Sequence, residues 1–599
     1  MNYLLVMPRL VETIGDGYNF PLGIAYISGA MKRAGFNVQT LNLNHHEGKV
    51  IDLMRAEIEA HDIGAVACGG LSFQFWTVEE VLRSAKEINP KIITISGGGL
   101  VSADPEATME ALVYADIGVI GEGEETIVEL CHTINKGDDI SDVHGIIHQG
   151  GRTPARGYIK DIDTLAWPDY EGFEMEEYFK MSPSFAGMNS KNTVFMLSSR
   201  SCTHLCTFCF HGMGTKYRVR SLDCFFEELD WLVSKYPIEI ISISDELFCD
   251  DFDRVKEFCA RIKKYNIRWW AQFRVDNITP ELVDVLKDGN CANMTFGIES
   301  ADDDVLKSMH KNTTIEQVHK TLSMVYEKGI SMTGALIFGD IVETREKAQK
   351  SIDYALEHPE FNIAMAMIQT FPGTHIYRYA IKKGIIKDRV KFLRDGCPQV
   401  NISKMSDAEF AEVINIVQNV QLNNTNILEN METSNINYKT ARIDVSGNCS
   451  HCHKLNEWTD IKLFRTYSFS TCRYCGTKHN TMLPDQQRED VGYNIERLVK
   501  KYGKVAIWGM NYQAVDLVAN DIRLMNDAVF LIDDSESTQK STVDGKRIYD
   551  ADVIARENIP AAVVALPHHY PAISLRAAKQ YKGVITFDIC DLLNPEVVI

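Results

Sequence analysis

Along the first 150 residues, short apolar runs alternate with stretches in which apolar positions recur every three or four residues. The runs Tyr3–Met7, Val38–Leu43, Ile63–Ala67, Ile92–Ser96 and Ile117–Ile120 predict strands. Between them, one helix is predicted from Pro21, a favoured first helical residue, to Gly35, a favoured stop. Another places Val78, Val81, Leu82, Ala85 and Ile88 on one face and ends at Pro90. Such alternation predicts a doubly wound parallel sheet over 1–150. Residues 151–190 read as a connector containing Pro154, Pro168 and Pro183.

A second series occupies 191–400. Strands are expected at Val194–Ser199, Ile238–Ser244, Trp269–Phe273, Asn293–Ile298, Thr333–Phe338 and Ala364–Ile368, with helices such as Asp251–Tyr265 and Thr314–Lys328 between them. Six β/α repeats predict an α/β barrel or partial barrel with its chemistry at the C-terminal strand ends. Residues 401–440 are polar and Asn-rich and are expected to form a helical linker, Ser406 and Glu409 having capping-box spacing. A small cysteine-rich unit follows at 441–485. Residues 490–599 return to α/β alternation, with strands at Val505–Trp508, Val529–Ile532, Ala562–Leu566 and Val584–Phe587.

Length and charge narrow the function classes. The 599 residues suggest about four domains. A net charge of −20 argues against a nucleic-acid partner, because a phosphate backbone would be repelled. No apolar run approaches the roughly 18 residues of a membrane span. Met1–Met7 lacks the basic start of a signal peptide, which predicts a cytoplasmic protein. The 15 cysteines are too many and too odd for a disulfide scaffold without export, and seven of them fall in two tight groups.

The first group is Cys202, Cys206 and Cys209, a C-x3-C-x2-C placed just after the first strand of the second series. Three thiolates can hold three irons of a [4Fe–4S] cluster and leave the fourth iron open to a small-molecule chelator. From spacing alone, zinc with His204 or His211 as fourth ligand competes. The segment resembles the radical S-adenosylmethionine (SAM) enzymes, whose signature is C-x3-C-x-aromatic-C, the aromatic here being Phe208. The resemblance continues strand by strand. It runs through Asp245-Glu246-Leu247-Phe248, then Arg274 and Asp276, Gly297-Ile298-Glu299-Ser300, and Phe371-Pro372-Gly373-Thr374. The fifth strand departs from the family pattern, ending in Gly339-Asp340-Ile341-Val342-Glu343-Thr344 without a Pro-Gly. The resemblance implies reductive cleavage of SAM to a 5′-deoxyadenosyl radical. Phe208 would flank the adenine, Glu299 and Ser300 would contact the ribose or methionine, and Glu246 would lie nearby. Arg274 is either a SAM contact or a structural ion-pair partner.

Pro21-Leu22-Gly23-Ile24-Ala25-Tyr26, the strand leading to Ser72, Gly97-Gly98-Gly99 and Gly121-Glu122-Gly123-Glu124 occur in that order. Together they resemble the cobalamin-binding domain that precedes many radical SAM domains. The resemblance implies Ser72 and Gly97, Gly98 and Gly99 near the nucleotide tail of the cofactor and Glu122 near the corrin. No D-x-H-x-x-G string is present; His45 and His46 read as loop residues. Such a pair of domains resembles the B12-dependent methylases, which use SAM once as methyl donor through cobalamin and once as radical source. The resemblance implies an unactivated carbon as target, the acidic net charge favours a small molecule or glycan precursor as substrate, and the expected partner is a reductase, ferredoxin or flavodoxin. Rearrangement or cyclisation on the same cofactors is the alternative, and a non-catalytic cobalamin sensor that binds a partner is the alternative of another class.

The second group, Cys449-x2-Cys452 and Cys472-x2-Cys475, has the spacing of a zinc ribbon, with an auxiliary iron–sulfur centre as the competitor. His451, His453 and His479 are nearby substitutes. The tail carries Trp508-Gly509-Met510-Asn511-Tyr512-Gln513-Ala514 after a strand and Asp533 after the next, half of a dinucleotide fingerprint. It is expected to be a Rossmann-like domain that is structural, docks a partner, or binds a nucleotide sugar or NAD.

Overall fold

The computed structural model describes residues 1–11, 14, 17–181, 192–248, 251–419, 427–438, 441–464, 469–480, 483–510, 512–534, 538–540, 542–567 and 570–597. Strands β1 (Asn2–Met7), β2 (Asn37–Asn42), β3 (Ile63–Gly69), β4 (Ile93–Gly97) and β5 (Ile117–Val119) are parallel. The short β6 (Ile146–His148) and β7 (Gly151–Arg152) extend the sheet antiparallel, in the order β2-β1-β3-β4-β5-β6-β7. The parallel order 2-1-3-4-5 is that of the flavodoxin-like doubly wound sheet, whose ligand crevice opens between β1 and β3 at their C-terminal ends. The predicted helices form at Leu22–Arg33, N-capped at Pro21, and at Phe75–Ile88.

In the second domain, β8 (Thr193–Met196) pairs with β11 (Ile240–Ile243), and β9 (Ser199–Arg200) with β10 (Arg218–Val219). β12 (Arg268–Phe273), β13 (Cys291–Glu299), β14 (Ser331–Phe338) and β15 (Ile363–Met367) continue from β11, all parallel and in sequence order. β15 does not pair with β8, so the six strands curve into an open barrel. Met294, Phe296, Met332 and Leu336 face outward into one apolar core with Val318, Leu322 and Val325 of helix Ile315–Lys328. That helix carries a complete capping box at Thr314 and Gln317, which explains its sharp start. The two domains share a second core, in which Leu100, Ala107 and Leu112 meet Ile376, Tyr377 and Ala380.

Among its described residues, the predicted linker is helical only at Asp407–Asn419, where Ser406 and Glu409 form the expected box. Its later part is corrected to a strand, β16 (Glu429–Asn437), which pairs antiparallel with β17 (Arg442–Asn448). Polar, Asn-rich residues have little strand propensity, but ladder bonds to a neighbour override propensity at a sheet edge. β18 (Leu455–Lys462) completes the sheet, and β19 (Phe469–Thr471) and β20 (Lys478–Asn480) form a separate hairpin. The tail contains β21 (Val505–Trp508), β22 (Val529–Ile532), β23 (Thr542–Val543), β24 (Lys546–Tyr549), β25 (Ala561–Val564) and β26 (Ile585–Asp588), ordered β23-β24-β22-β21-β25-β26. Its parallel strands follow the Rossmann order 3-2-1-4-5. Ile443, Val445 and Trp458 pack in one core with Val491, Ile507 and Leu531, so the cysteine-rich unit and the tail are one apolar body.

Candidate active site

Cys202, Cys206 and Cys209 lie on the loop between β9 and β10, which the pairs Arg200↔Arg218 and Ser199↔Val219 close at its base. Asp245 at the end of β11 is buried and fixes the chain entering the loop. Its carboxylate accepts from the Ser198 N–H at 2.7 Å and from the hydroxyls of Ser198 and Ser199 at 2.5 and 2.8 Å. On the other side, Thr207 donates its N–H to the Met309 carbonyl and accepts from the Ile376 N–H. Cys206 is buried, Cys202 half-buried and Cys209 exposed. A hydrogen bond with Cys209, then the charges of Lys311 and Arg274, lower the pKa of the Cys206 thiol, and the same hydrogen bond raises that of Cys209. A thiolate at neutral pH is what an iron ligand requires.

Glu299 ends β13 at φ 69°, a left-handed conformation that costs a residue with a Cβ about 1–2 kcal/mol. A register shift between Gly297 and Glu299 accompanies it. The carboxylate folds back over Gly297, where a Cβ would stand 2.2 Å from Glu299 Oε1 and 2.7 Å from Lys311 Nζ. Lys311 pairs with Glu299 at 2.8 Å, both side chains being buried. Arg274 is committed elsewhere: it clasps Asp276 with two bonds of 3.0 and 2.9 Å and donates to the Lys311 carbonyl at 2.6 Å. It therefore positions Lys311. Ser300 is fully buried, and its hydroxyl accepts from the Asp302 N–H and meets Ser351, so it braces Asp302, the residue that caps the following helix. Phe208 is half-buried and packs on the core that joins the domains. Burial pushes the Glu246 carboxyl up to about 7 against the pull of Arg218.

On the facing domain, Gly97–Gly99 meet the end of β3. A Cβ on Gly69 would fall 2.8 Å from the Gly97 carbonyl, and one on Gly98 2.8 Å from that of Gly70. Gly98 also has φ 77°. Backbone packing thus accounts for Gly98, while Gly97 has nothing nearer its Cβ than 3.7 Å. Ser72 is buried at the start of the 3-10 turn that follows β3. Leu71 and Phe73 beside it are about half exposed, as is Leu205 on the cysteine loop. Phe73 reaches the ring of Phe371 at 6.1 Å, and the Phe210 ring lies 3.7 Å from a Cβ built on Gly99 and 2.6 Å from one on Gly373. The open apolar surface therefore lies where the two sets of strand ends converge.

Glu122 does not project from this surface. Its Oε1 accepts from Arg200 at 2.8 Å, and its Oε2 from Arg218 at 2.7 Å and from the Ile159 N–H at 2.9 Å. Arg200 reaches Glu124 as well and stacks over Tyr26 at 5.2 Å. All four charged side chains are at least nine-tenths buried. The resemblance implies Glu122 beside the corrin, whereas its carboxylate is committed to the two arginines at the base of the cysteine loop. Those arginines went unnoticed in the sequence, although they flank the loop at its first and last paired positions. Asp104 makes a second bridge, to Tyr377 at 3.0 Å and Arg389 at 3.0 Å.

A model of the B12 binding domain matches residues 13–131, and a model of the radical SAM superfamily matches residues 196–355. The two models identify a B12-binding domain followed by a radical SAM domain. It is 28% identical over 417 residues to an uncharacterized methyltransferase of Pyrococcus horikoshii, covering 64% of this chain and 84% of that one. It is 25% identical over 375 residues to an anaerobic magnesium-protoporphyrin IX monomethyl ester cyclase of Rubrivivax gelatinosus, covering 60% of this chain and 66% of the cyclase. Its fold is similar to the methyltransferase TsrM from Kitasatospora setae, solved with cobalamin and a [4Fe–4S] cluster. The TM-score is 0.53 at 18% identity, over 64% of this chain and 75% of TsrM. The cofactors of this radical SAM enzyme are a [4Fe–4S] cluster, SAM and cobalamin. The residues fit them: Cys202, Cys206 and Cys209 stand together on one loop, and the exposed apolar side chains between the domains suit a large flat macrocycle.

The sulfurs of Cys449, Cys452, Cys472 and Cys475 all lie within 4.8 Å of one another. Cys449–Cys475 is 3.5 Å and Cys452–Cys472 is 3.6 Å. Four thiolates about 2.3 Å from one tetrahedral ion stand about 3.8 Å apart, so the group could hold a single metal ion. The three neighbouring histidines are otherwise engaged: His451 with Tyr326, His453 with Glu429 and His479 with Ser450. His45, in its loop, is bonded to Tyr18 and Glu174. In the tail, the Asp533 carboxylate accepts from the Met510 N–H at 2.8 Å, filling the turn a pyrophosphate would use. Asn511 lies outside the described residues.

Proposed function

We propose that this enzyme is a cobalamin-dependent methyltransferase acting on an unactivated carbon of a small molecule or glycan precursor. The observation that supports it is the buried Arg200–Glu122–Arg218 bridge, which ties the cysteine loop to the cobalamin domain so that a radical source and a methyl source face one cleft. The bound cofactors supply SAM cleavage and methyl transfer. The chain's own residues orient and shield: Asp245 fixes the loop, Arg274 holds Lys311, and Lys311 holds Glu299 for the SAM ribose or methionine. Glu246, whose carboxyl burial raises to about 7, can when protonated donate a hydrogen bond into the cleft. Ser244, Gln272, Ala364 and Ala366 lie exposed along the barrel strands, leaving room for a small substrate. The four-cysteine group is proposed to hold zinc, the electron donor to be a ferredoxin or flavodoxin, the setting to be cytoplasmic, and the tail to be structural.

Anaerobic turnover with methyl-labelled SAM against a metabolite extract tests the reading. A product heavier by one labelled methyl group is expected. A turned-over substrate without label would replace methylation by cyclisation, which the cyclase relative favours.

A further inference from the structure

The floor of the barrel is not made by the barrel. The turn Tyr474–Gly476 of the four-cysteine unit packs on the loop entering β14, where a Cβ on Gly476 would sit 2.3 Å from the Ser331 nitrogen. Tyr326 and His451 close the same contact at 2.6 Å. From this floor β20 sends Lys478 into the barrel. Lys478 is 5% exposed, and its Nζ donates to Thr333 Oγ1 at 2.6 Å.

Thr333 lies on the inner face of the sheet. Its outward neighbours on β13 and β14 face the helices, whereas Asn293, Thr295, Ser331 and Thr333 hydrogen-bond to one another on the opposite side. Gly297 continues the same inner row on β13, and Glu299 folds back over it after the register shift. The Lys478 amine thus lies on the inner face of the barrel sheet, on the N-terminal side of the Glu299–Lys311 pair, and no carboxylate among the described residues pairs with it. Burial alone pulls its amine down to about 7. Arg268, two residues before Trp270 on the same face of β12, lies within the field of Arg473 from the unit below, with Glu239 as its nearby carboxylate. An unpaired ammonium held away from water costs several kcal/mol unless an anion or acceptor reaches it.

We propose that Lys478 is a substrate-binding residue, contributed by the four-cysteine unit, that receives a phosphate or carboxylate group at the deep end of the barrel. The proposal rests on the reading of the barrel interior as the substrate site and adds a chemical class and a length. Thr295, level with Thr333, and Glu299 are four residues apart on β13, which is about 13 Å at 3.3 Å per residue. The substrate therefore carries its acid roughly that far from the carbon presented to SAM.

The test needs no known substrate. The full chain, reconstituted with cluster and zinc under anaerobic conditions, is treated with limiting trinitrobenzenesulfonate, itself an anion, and labelled lysines are located by peptide mass. Lys478 is expected to be labelled, and inorganic phosphate is expected to slow that labelling saturably. The slowing is about sixfold at five times the half-saturating concentration, by mass action. Surface lysines are unaffected, and the signal disappears in Lys478→Met. Absence of label at Lys478, or labelling that phosphate slows no more than at surface lysines, overturns the proposal. The 5′-deoxyadenosine yield of the same preparation tests the active-site reading separately, since labelling requires no turnover.

Discussion

The two cysteine groups of this chain are built to opposite ends. Cys202, Cys206 and Cys209 offer three sulfurs on a loop, one of them exposed, with Lys311 and Arg274 beside Cys206. Cys449, Cys452, Cys472 and Cys475 offer four sulfurs in one tight group, with both buried partners supplied by paired knuckles. A coordination shell left one ligand short invites a small molecule; a closed shell excludes one. The open group follows the first strand of the barrel and the closed group packs on the loop entering β14, an arrangement that suits the proposed division between chemistry and support.

The largest effect that could break this contrast is loss of a loop cysteine. Cys206→Ala is expected to reduce 5′-deoxyadenosine formation to background, measured chromatographically under strong reductant. Cys452→Ala should leave cleavage detectable but release the bound metal and lower the unfolding temperature. Loss of a structural metal shell removes binding energy that counts directly toward folding. Equal loss of cleavage in both variants would erase the distinction.

Next in size is the bridge between the domains. Glu122→Ala leaves Arg200 and Arg218 buried without their shared partner and is expected to cost about 3–5 kcal/mol in denaturant unfolding. Glu122→Gln should lie between this variant and wild type, because the amide keeps hydrogen-bond acceptors but loses the charge. A cost under 1 kcal/mol for Glu122→Ala would show that the bridge does not hold the loop to the cobalamin domain.

The smallest expected effect concerns Glu246. Burial raises its folded-state pKa from 4.5 to about 7, so between these values the folded chain binds more protons than the unfolded one. Its contribution to stability is therefore present at low pH and declines as pH rises from about 4.5 to about 7. The loss is at most about 3 kcal/mol, from 1.36 kcal/mol per unit. Glu246→Gln should flatten that segment of the stability–pH curve and be the more stable protein at pH 8. An unchanged slope would mean that the carboxyl is solvated.

Periodicity revealed the two sheets and the barrel because their strands are apolar on buried faces, as at Leu4–Met7 and Ile240–Ile243. It failed at Glu429–Asn437, a largely exposed edge strand whose order comes from the ladder to Arg442–Asn448 rather than from its own residues. Spacing revealed both cysteine groups, since short intervals fix geometry locally. It could not assign Glu122, Arg274 or Ser300, whose roles depend on partners distant in sequence or on burial. Lys478 was invisible for the same reason: nothing near it in the chain announces that its amine ends inside another domain.

The most direct test of the central claim is spectroscopic and elemental analysis of anaerobically reconstituted protein, with and without SAM. The account predicts one [4Fe–4S] cluster per chain whose electron paramagnetic resonance signal in the reduced state shifts when SAM is added, together with one zinc. Two clusters per chain, or a single cluster whose signal is indifferent to SAM, would contradict it.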